Sequence, residues 1–125
     1  MAALPPALEQ HFRHPKNVAP APTGARVGRS ENLACGDWLE VALVCTGERV
    51  TAATFQARGC SATIACASLV SSEIASLALG AALRYDVAAA VERAGGLPPT
   101  ARHAALVVAR ALSAALASST PPCHS

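Results

Sequence analysis

The sequence predicts an α+β domain in which an antiparallel hairpin is followed by a series of helices. Residues 38–58 alternate polar and apolar side chains, which is the period of strands lying on a core. Beyond Gly59 the apolar residues recur every three or four positions, which is the period of a helix. Strands followed by consecutive helices favour α+β over alternating βαβ units.

Length and composition fit one domain with an aliphatic core. Of the 125 residues, 52% are hydrophobic and only 3% are aromatic. The net charge is only +2 and no run of basic residues is present, so the charge pattern does not indicate binding to nucleic acid. No export signal is visible, and charged residues interrupt the apolar segments. We therefore predict a cytoplasmic protein with neither a nucleic-acid partner nor a membrane segment.

The elements before the first helical period are predicted as follows. Residues 3–13 form a short helix, and the prolines and glycines after it predict an extended connection up to about residue 34. Residues 38–45 and 50–58 then form the two strands of the hairpin, with a turn between them.

Three helical segments are predicted after the hairpin. The first begins beyond Gly59 and ends near Gly80, and the second spans about 83–93. The third spans about 99–117 and is opened by prolines, which a first helical turn tolerates because its N–H groups are unpaired.

Two thiols lie at the predicted ends of neighbouring strands, each next to a glycine. Cys35 and Gly36 precede the first strand, whereas Gly59 and Cys60 separate the second strand from a helix. A helix N-terminus favours the thiolate form of a cysteine, and thiolate is the form that binds metal. In a chain without a visible export signal, five cysteines indicate thiols or metal ligands rather than a disulfide framework.

Two further ligand types are expected at the same end of the domain. Asp37 would add a carboxylate oxygen, and His103, in the first turn of the last helix, would add an imidazole. The spacing alone leaves a second interpretation open, in which the cysteines are small buried hydrophobes and Asp37 is a solvated loop acid.

Four blocks of the sequence follow one another in a pattern typical of a known family, namely HPKNVAP at 14–20, NLACGDWLEV at 32–41, RGCSATIACASLVSSEI at 58–74 and LPPTARHAAL at 97–106. On these blocks, the sequence resembles the iron-sulfur cluster assembly scaffolds of the IscU type, also found as the N-terminal domain of NifU. The resemblance implies a three-stranded antiparallel sheet packed with helices over residues 1–117, and leaves residues 118–125 as a disordered tail.

The resemblance implies a non-enzymatic scaffold or carrier that binds iron or a transient [2Fe-2S] cluster, with Zn(II) as an alternative metal. The implied partners are a cysteine desulfurase, apo iron-sulfur acceptor proteins and a chaperone pair of the Hsp70 type. The implied ligands are Cys35, Asp37, Cys60 and His103. A carboxylate among thiolates matches iron-sulfide chemistry poorly, so Asp37 is expected to make the site labile.

Departures from the family pattern suggest an alternative function. The family's third cysteine, a ligand and the usual acceptor of persulfide sulfur, falls on Ala104, and its lysine falls on Ala101. The chaperone-recognition segment is half kept, as residues 97–99. The alternative is a degenerate relative that binds zinc or iron, or that regulates a cysteine desulfurase.

The remaining thiols and histidines are assigned mainly structural roles. Cys45 and Cys66 fall on apolar stripes and are predicted to be core residues. Cys123, beside His124 in the tail, is a spare thiol or a mobile sulfur acceptor. Two N-terminal histidines, His11 and His14, are considered as additional ligands.

An enzymatic interpretation has less support in the sequence. It would use Cys35 or Cys60 as nucleophile, His103 as base and Asp37 as the residue that orients the base. No oxyanion-hole motif accompanies these residues.

Overall fold

The computed structural model describes residues 3–32, 34 and 36–118, and shows a three-stranded antiparallel sheet in the order β1-β2-β3 with α-helices packed on it. The predicted α+β class and the third strand that the family resemblance implied are confirmed. The elements are α1 (Pro6–Arg13), β1 (Arg26–Asn32), β2 (Asp37–Thr46), β3 (Arg49–Arg58), α2 (Ser61–Ile74), α3 (Leu79–Leu83), α4 (Val87–Arg93), a 3-10 turn (Pro99–Ala101) and α5 (His103–Ala117).

The predicted hairpin is present as β2 and β3, and its alternation places one face on the core. Leu39, Val41 and Leu43 of β2 are buried, and Val41 lies opposite the buried Phe55 of β3. Because successive side chains of a strand point to opposite faces, Asp37 shares the inner face with Leu39 and Val41. The hairpin therefore carries a carboxylate to the edge of the core.

The interpretation of residues 15–34 as connection is corrected, because Arg26–Asn32 forms β1 and pairs with β2. Sequence periodicity missed this strand because its inward positions carry no large apolar side chain. Those positions, opposite the buried residues of β2, are Arg26, Gly28, Ser30 and Asn32.

The inner face of β1 contacts the backbone of α5 instead of apolar side chains. A Cβ on Gly28 would overlap the backbone of Ala111 and Ala115, so only glycine permits this approach. Ser30 Oγ donates to the carbonyl of Val107 at 2.5 Å, and Arg26 donates to the carbonyl of Leu116 at 3.1 Å. Side-chain donors thus hold β1 on α5.

The helix boundaries differ from the prediction in the segment after α2. The helix ends at Ile74 rather than near Gly80, and Ser76 adopts a positive φ of 79°. Ser76 N–H donates to the carbonyl of Val50, and Val50 N–H donates to the carbonyl of Leu77. These bonds to β3 take the place of further helical bonds, and Gly80 lies inside α3.

The remaining predicted helices are also shorter. α1 begins at Pro6, where proline suits the first turn, rather than at residue 3. The segment predicted as 83–93 is divided, because the Asp86 side chain accepts from the N–H of Ala89 and starts α4 there. The segment predicted as one helix over 99–117 consists of the 3-10 turn followed by α5, which ends at Ala117.

The segment 14–20 is fixed to the outer edge of β3. Phe55 N–H donates to the carbonyl of Asn17 at 3.0 Å, and Ala19 N–H donates to the carbonyl of Phe55 at 3.1 Å. Asn17 has a positive φ of 66°. The connection 20–25 then carries the chain to β1 at the opposite edge.

The core lies between the inner face of the sheet and helices α2 and α5. Cys66 is completely buried in it, as predicted, and desolvation, followed by the charge of Cys60, raises the pKa of its thiol to about 12. Cys45 follows a register shift in β2 and is half-buried against the core. Among the residues described, no helix combines the length and apolar character needed to cross a bilayer.

Candidate metal centre

Three elements end at one place in the fold. Asp37 is the first residue of β2 and points to the helical side of the sheet. Cys60 is the N-cap of α2, and His103 is the first residue of α5, as the sequence predicted. The start of the hairpin and the N-termini of two helices therefore bring a carboxylate, a thiol and an imidazole together.

The distances between these side chains are short. His103 Nε2 lies 3.0 Å from Asp37 Oδ2 and 3.6 Å from Cys60 Sγ. Cys60 Sγ lies 3.8 Å from Asp37 Oδ2. The three potential ligand atoms all lie within 4.8 Å of one another. We call Asp37, Cys60 and His103, with the adjacent Thr63, the ligand cluster.

Gly59 makes room for the carboxylate of Asp37. Its φ is +134°, a conformation that residues with a side chain rarely adopt, and a Cβ there would overlap Asp37 Oδ1 and Cα. Asp37 Oδ1 instead accepts the N–H of Cys60 at 3.0 Å. The glycine between β3 and α2 therefore allows the hairpin to close onto the N-terminus of α2.

Thr63 is a component of the cluster that the sequence reasoning missed. Its side chain is completely buried, and its hydroxyl donates to Asp37 Oδ2 at 3.2 Å and lies 3.4 Å from Cys60 Sγ. The spacing Cys60-x-x-Thr63 is the available signal, because the side chains of an N-cap residue and of the third helical residue face each other.

The cluster has the chemistry of a transition-metal site. Sulfur, imidazole nitrogen and carboxylate oxygen are all ligands of zinc and iron. The Asp37 side chain is fully buried, whereas the His103 side chain is 24% exposed and Cys60 is partly exposed. A metal ion can therefore approach from the side of Cys60 and His103 while Asp37 stays anchored beneath.

Two of the predicted thiols lie outside the described residues. Cys35, the fourth predicted ligand, precedes Asp37 by two positions, and Gly36 between them has a positive φ of 73°. Cys123 belongs to the predicted tail, of which only Ser118 is described. The roles assigned to both cysteines stay predictions.

The position of the family's third cysteine faces the core. Ala104 is completely buried, although His103 beside it is partly exposed and reaches the cluster. Adjacent residues of a helix point about 100° apart, which explains this difference. A cysteine side chain at residue 104 would therefore leave α5 on the side of the helix that faces the core.

The N-terminal histidines lie elsewhere. His11 Nδ1 is 2.7 Å from Ser68 Oγ on α2, and His14 is exposed. Ser68 Oγ also accepts the N–H of Lys16, and Asn17 donates to Ser71 and Ser72.

These hydrogen bonds hold the N-terminal arm on α2. We call the residues that make them the arm cluster, namely His11, Lys16, Asn17, Ser68, Ser71 and Ser72. Neither histidine belongs to the group of potential ligands found among the described residues.

Comparison with known proteins gives consistent results for sequence and fold. The chain is 30% identical over 117 residues to the nitrogen fixation protein NifU of Azospirillum brasilense, and this match covers 88% of the chain but 37% of that protein. The chain thus spans little more than a third of that relative's length.

Solved structures show the same fold at low sequence identity. A crystal structure described as a putative iron-sulfur cluster assembly scaffold protein for the SUF system, from Fervidobacterium islandicum, matches with a TM-score of 0.71 and 14% identity, covering 89% of this chain and 94% of the other. The N-terminal part of a NifU-like protein from Brucella abortus matches with a TM-score of 0.65 and 16% identity, covering 86% and 88%.

The family assignment rests on the extent of the sequence match. Residues 6–120 match the sequence model of the family described as NifU-like N terminal domain, and this range extends from the start of α1 to beyond the end of α5. This range includes every residue of the ligand cluster. The chain therefore belongs to the NifU-like N-terminal domain family.

Proposed function

We propose that this chain is an iron-sulfur cluster assembly scaffold or carrier, which binds iron or a transient [2Fe-2S] cluster and transfers it to acceptor proteins. The observation that carries the proposal is the convergence of Asp37 Oδ2, Cys60 Sγ and His103 Nε2 within 4.8 Å. Membership of the NifU-like N-terminal domain family supports it, as does the likeness in fold to a protein described as a putative iron-sulfur cluster assembly scaffold. Cys35 is proposed as the fourth ligand, and no substrate is turned over.

The carboxylate of Asp37 supports a labile site. Asp37 supplies oxygen where the neighbouring ligands supply sulfur and nitrogen, and its hydrogen bonds from the Cys60 N–H and the Thr63 hydroxyl hold that oxygen in place. Carboxylate oxygen is a poor match for iron held by sulfide. Asp37→Ala is therefore expected to retain a reconstituted cluster longer than the wild type, and faster loss would contradict this role for Asp37.

A cysteine desulfurase is the proposed sulfur donor, and apo iron-sulfur proteins are the proposed acceptors. The half-kept chaperone segment at residues 97–99 ends in the first residue of the 3-10 turn that leads to His103. A chaperone of the Hsp70 type bound there would act next to a cluster ligand. We place these events in the cytoplasm.

A second candidate function is supported by the alanine at position 104. Because Ala104 is completely buried and carries no sulfur, the described part of the cluster offers one thiol where the family pattern has two. Such a relative would bind zinc or iron, or would occupy the docking surface of a desulfurase, without assembling a cluster.

Anaerobic reconstitution with iron, cysteine and a desulfurase distinguishes the two functions. Absorption and Mössbauer spectra are recorded for the wild type, Ala104→Cys and the ligand variant Cys60→Ser. A cluster on the wild type, absent from Cys60→Ser, supports the scaffold. A cluster on Ala104→Cys alone supports the degenerate relative. A cluster of equal yield on Cys60→Ser would contradict the proposed site.

A further inference from the structure

We propose that Thr63 is a positioning residue that holds Asp37 Oδ2 toward the other metal ligands. The inference rests on the proposed function, because it concerns how the same site binds metal. Thr63 lies three residues into α2 and is completely buried.

The two oxygens of Asp37 have different environments. Oδ1 accepts the N–H of Cys60 and lies against Gly59, where a Cβ would overlap it. Oδ2 lies 3.0 Å from His103 Nε2 and 3.2 Å from Thr63 Oγ1. Oδ2 is therefore the oxygen that faces the sulfur and the imidazole, and the Thr63 hydroxyl is the neutral donor that keeps it there.

Without this hydroxyl, the remaining contacts of the carboxylate would be Cys60 N–H at Oδ1 and His103 Nε2 at Oδ2. When His103 binds metal through Nε2, its contact with Oδ2 is lost and only the contact at Oδ1 remains. The terminal torsion of an aspartate is broad, so one contact restrains it poorly. An unrestrained carboxylate must be ordered when metal binds, which weakens binding. Hydrogen-bonded partners that orient metal ligands typically contribute about 10-fold to 100-fold in metal affinity.

The hydroxyl of Thr63 lies between two of the proposed ligands. A threonine hydroxyl has one proton, and here it is donated to Asp37 Oδ2. The same oxygen lies 3.4 Å from Cys60 Sγ. Because the hydroxyl contacts both the carboxylate and the sulfur, removing it should change both the affinity and the symmetry of a bound metal.

A second buried threonine hydroxyl provides a matched control. Thr54 lies in the middle of β3, and its Oγ1 is buried without a hydrogen-bond partner among the described residues. Thr54→Val removes a hydroxyl that contacts no ligand, whereas Thr63→Val removes the one that contacts Asp37. Both changes keep a β-branched side chain.

The experiment is an anaerobic titration of the full chain with Co²⁺, in which thiolate charge-transfer and d–d absorption report affinity and ligand symmetry. We expect Thr63→Val to bind Co²⁺ about 10-fold to 100-fold more weakly, with altered d–d bands. Thr63→Ser should restore both properties, and Thr54→Val should bind as the wild type does. Urea unfolding of each variant identifies those that fold.

The outcomes separate this inference from the function on which it rests. Wild-type affinity and spectrum in folded Thr63→Val would overturn the inference and leave the proposed function standing. A wild type with no thiolate charge-transfer band would overturn both. If Thr63→Val fails to fold, Thr63→Ala takes its place, and equal Co²⁺ binding by Thr63→Ala and Thr63→Ser would overturn the inference.

Discussion

The ligand cluster and the arm cluster use the same helix, α2, and each contains one histidine and at least one buried hydroxyl. In the arm cluster, hydroxyls, an amide and an imidazole bond to one another and to the backbone of Lys16. The ligand cluster instead gathers sulfur, carboxylate and imidazole atoms within 4.8 Å. The two clusters therefore differ in their donor atoms and not in whether polar groups are buried, and the donor atoms make the ligand cluster the candidate metal site.

The largest effect is expected from Gly59→Ala, which should destroy the ligand cluster. The new Cβ would overlap Asp37 in a backbone conformation that alanine rarely adopts, and we expect a loss of about 3 kcal/mol in the free energy of unfolding. Urea unfolding and Co²⁺ binding measure the two consequences.

Gly47→Ala is the control for this change. Gly47 also has a positive φ, of 62°, but no atom lies within 4 Å of a Cβ there, so about 1–2 kcal/mol is expected. Equal losses in the two variants would mean that the approach of Asp37 to Gly59 is unimportant.

Cys60→Ser tests the contribution of sulfur to the ligand cluster. A hydroxyl is a poor ligand for a metal that prefers thiolate, so Co²⁺ affinity should fall by more than about 100-fold. Cys45→Ser, on the half-buried cysteine of β2, should leave the affinity within about twofold, since that residue lies outside the cluster. A similar fall in both variants would argue against Cys60 as a specific ligand.

Ser68→Ala tests whether the arm cluster is only structural. The N–H of Lys16 and the imidazole of His11 would lose their common partner, so the free energy of unfolding should fall by about 1–2 kcal/mol. Co²⁺ affinity should not change. Ser72→Ala, at an exposed position, should cost less than about 0.5 kcal/mol. Weakened Co²⁺ binding in Ser68→Ala would show that the two clusters are coupled.

The smallest expected effect is the pH dependence of the arm cluster. Desolvation, followed by the charge of Lys16, lowers the pKa of His11 below 6.5, with Glu73 opposing the shift. The unfolded chain therefore binds this proton more readily than the folded chain. The contribution of neutral His11 to the free energy of unfolding is therefore complete above pH 6.5. It is lost as the pH falls through that value toward the lower pKa of the folded state.

Urea unfolding of the wild type and His11→Gln, at about pH 7.5 and about pH 5.5, measures this contribution. The wild type should lose more stability than the variant on acidification. An identical loss in both proteins would assign the pH dependence to other groups.

The hairpin, the presence of helices after Gly59 and the cluster residues with strong chemical identities could be predicted from the amino-acid sequence alone. Alternation marked β2 and β3 because their inner faces bury aliphatic side chains. Cys60 and His103 were predicted at helix N-termini, where the structure has them. Whether they bind metal, with Asp37 and Cys35, stays a prediction that the proposed experiments test.

The position of β1 in the chain, the early end of α2 and the hydrogen bond of Thr63 to Asp37 were found only in the folded structure. β1 carries no inward apolar period because Gly28 lets the backbone of α5 approach and Ser30 bonds to that helix. Helix α2 ends where Ser76 and Leu77 pair with β3. Thr63 gains its partner from a strand 26 residues away in the chain. Local patterns report which surface a segment buries, whereas these features depend on which distant backbone or side chain completes each hydrogen bond.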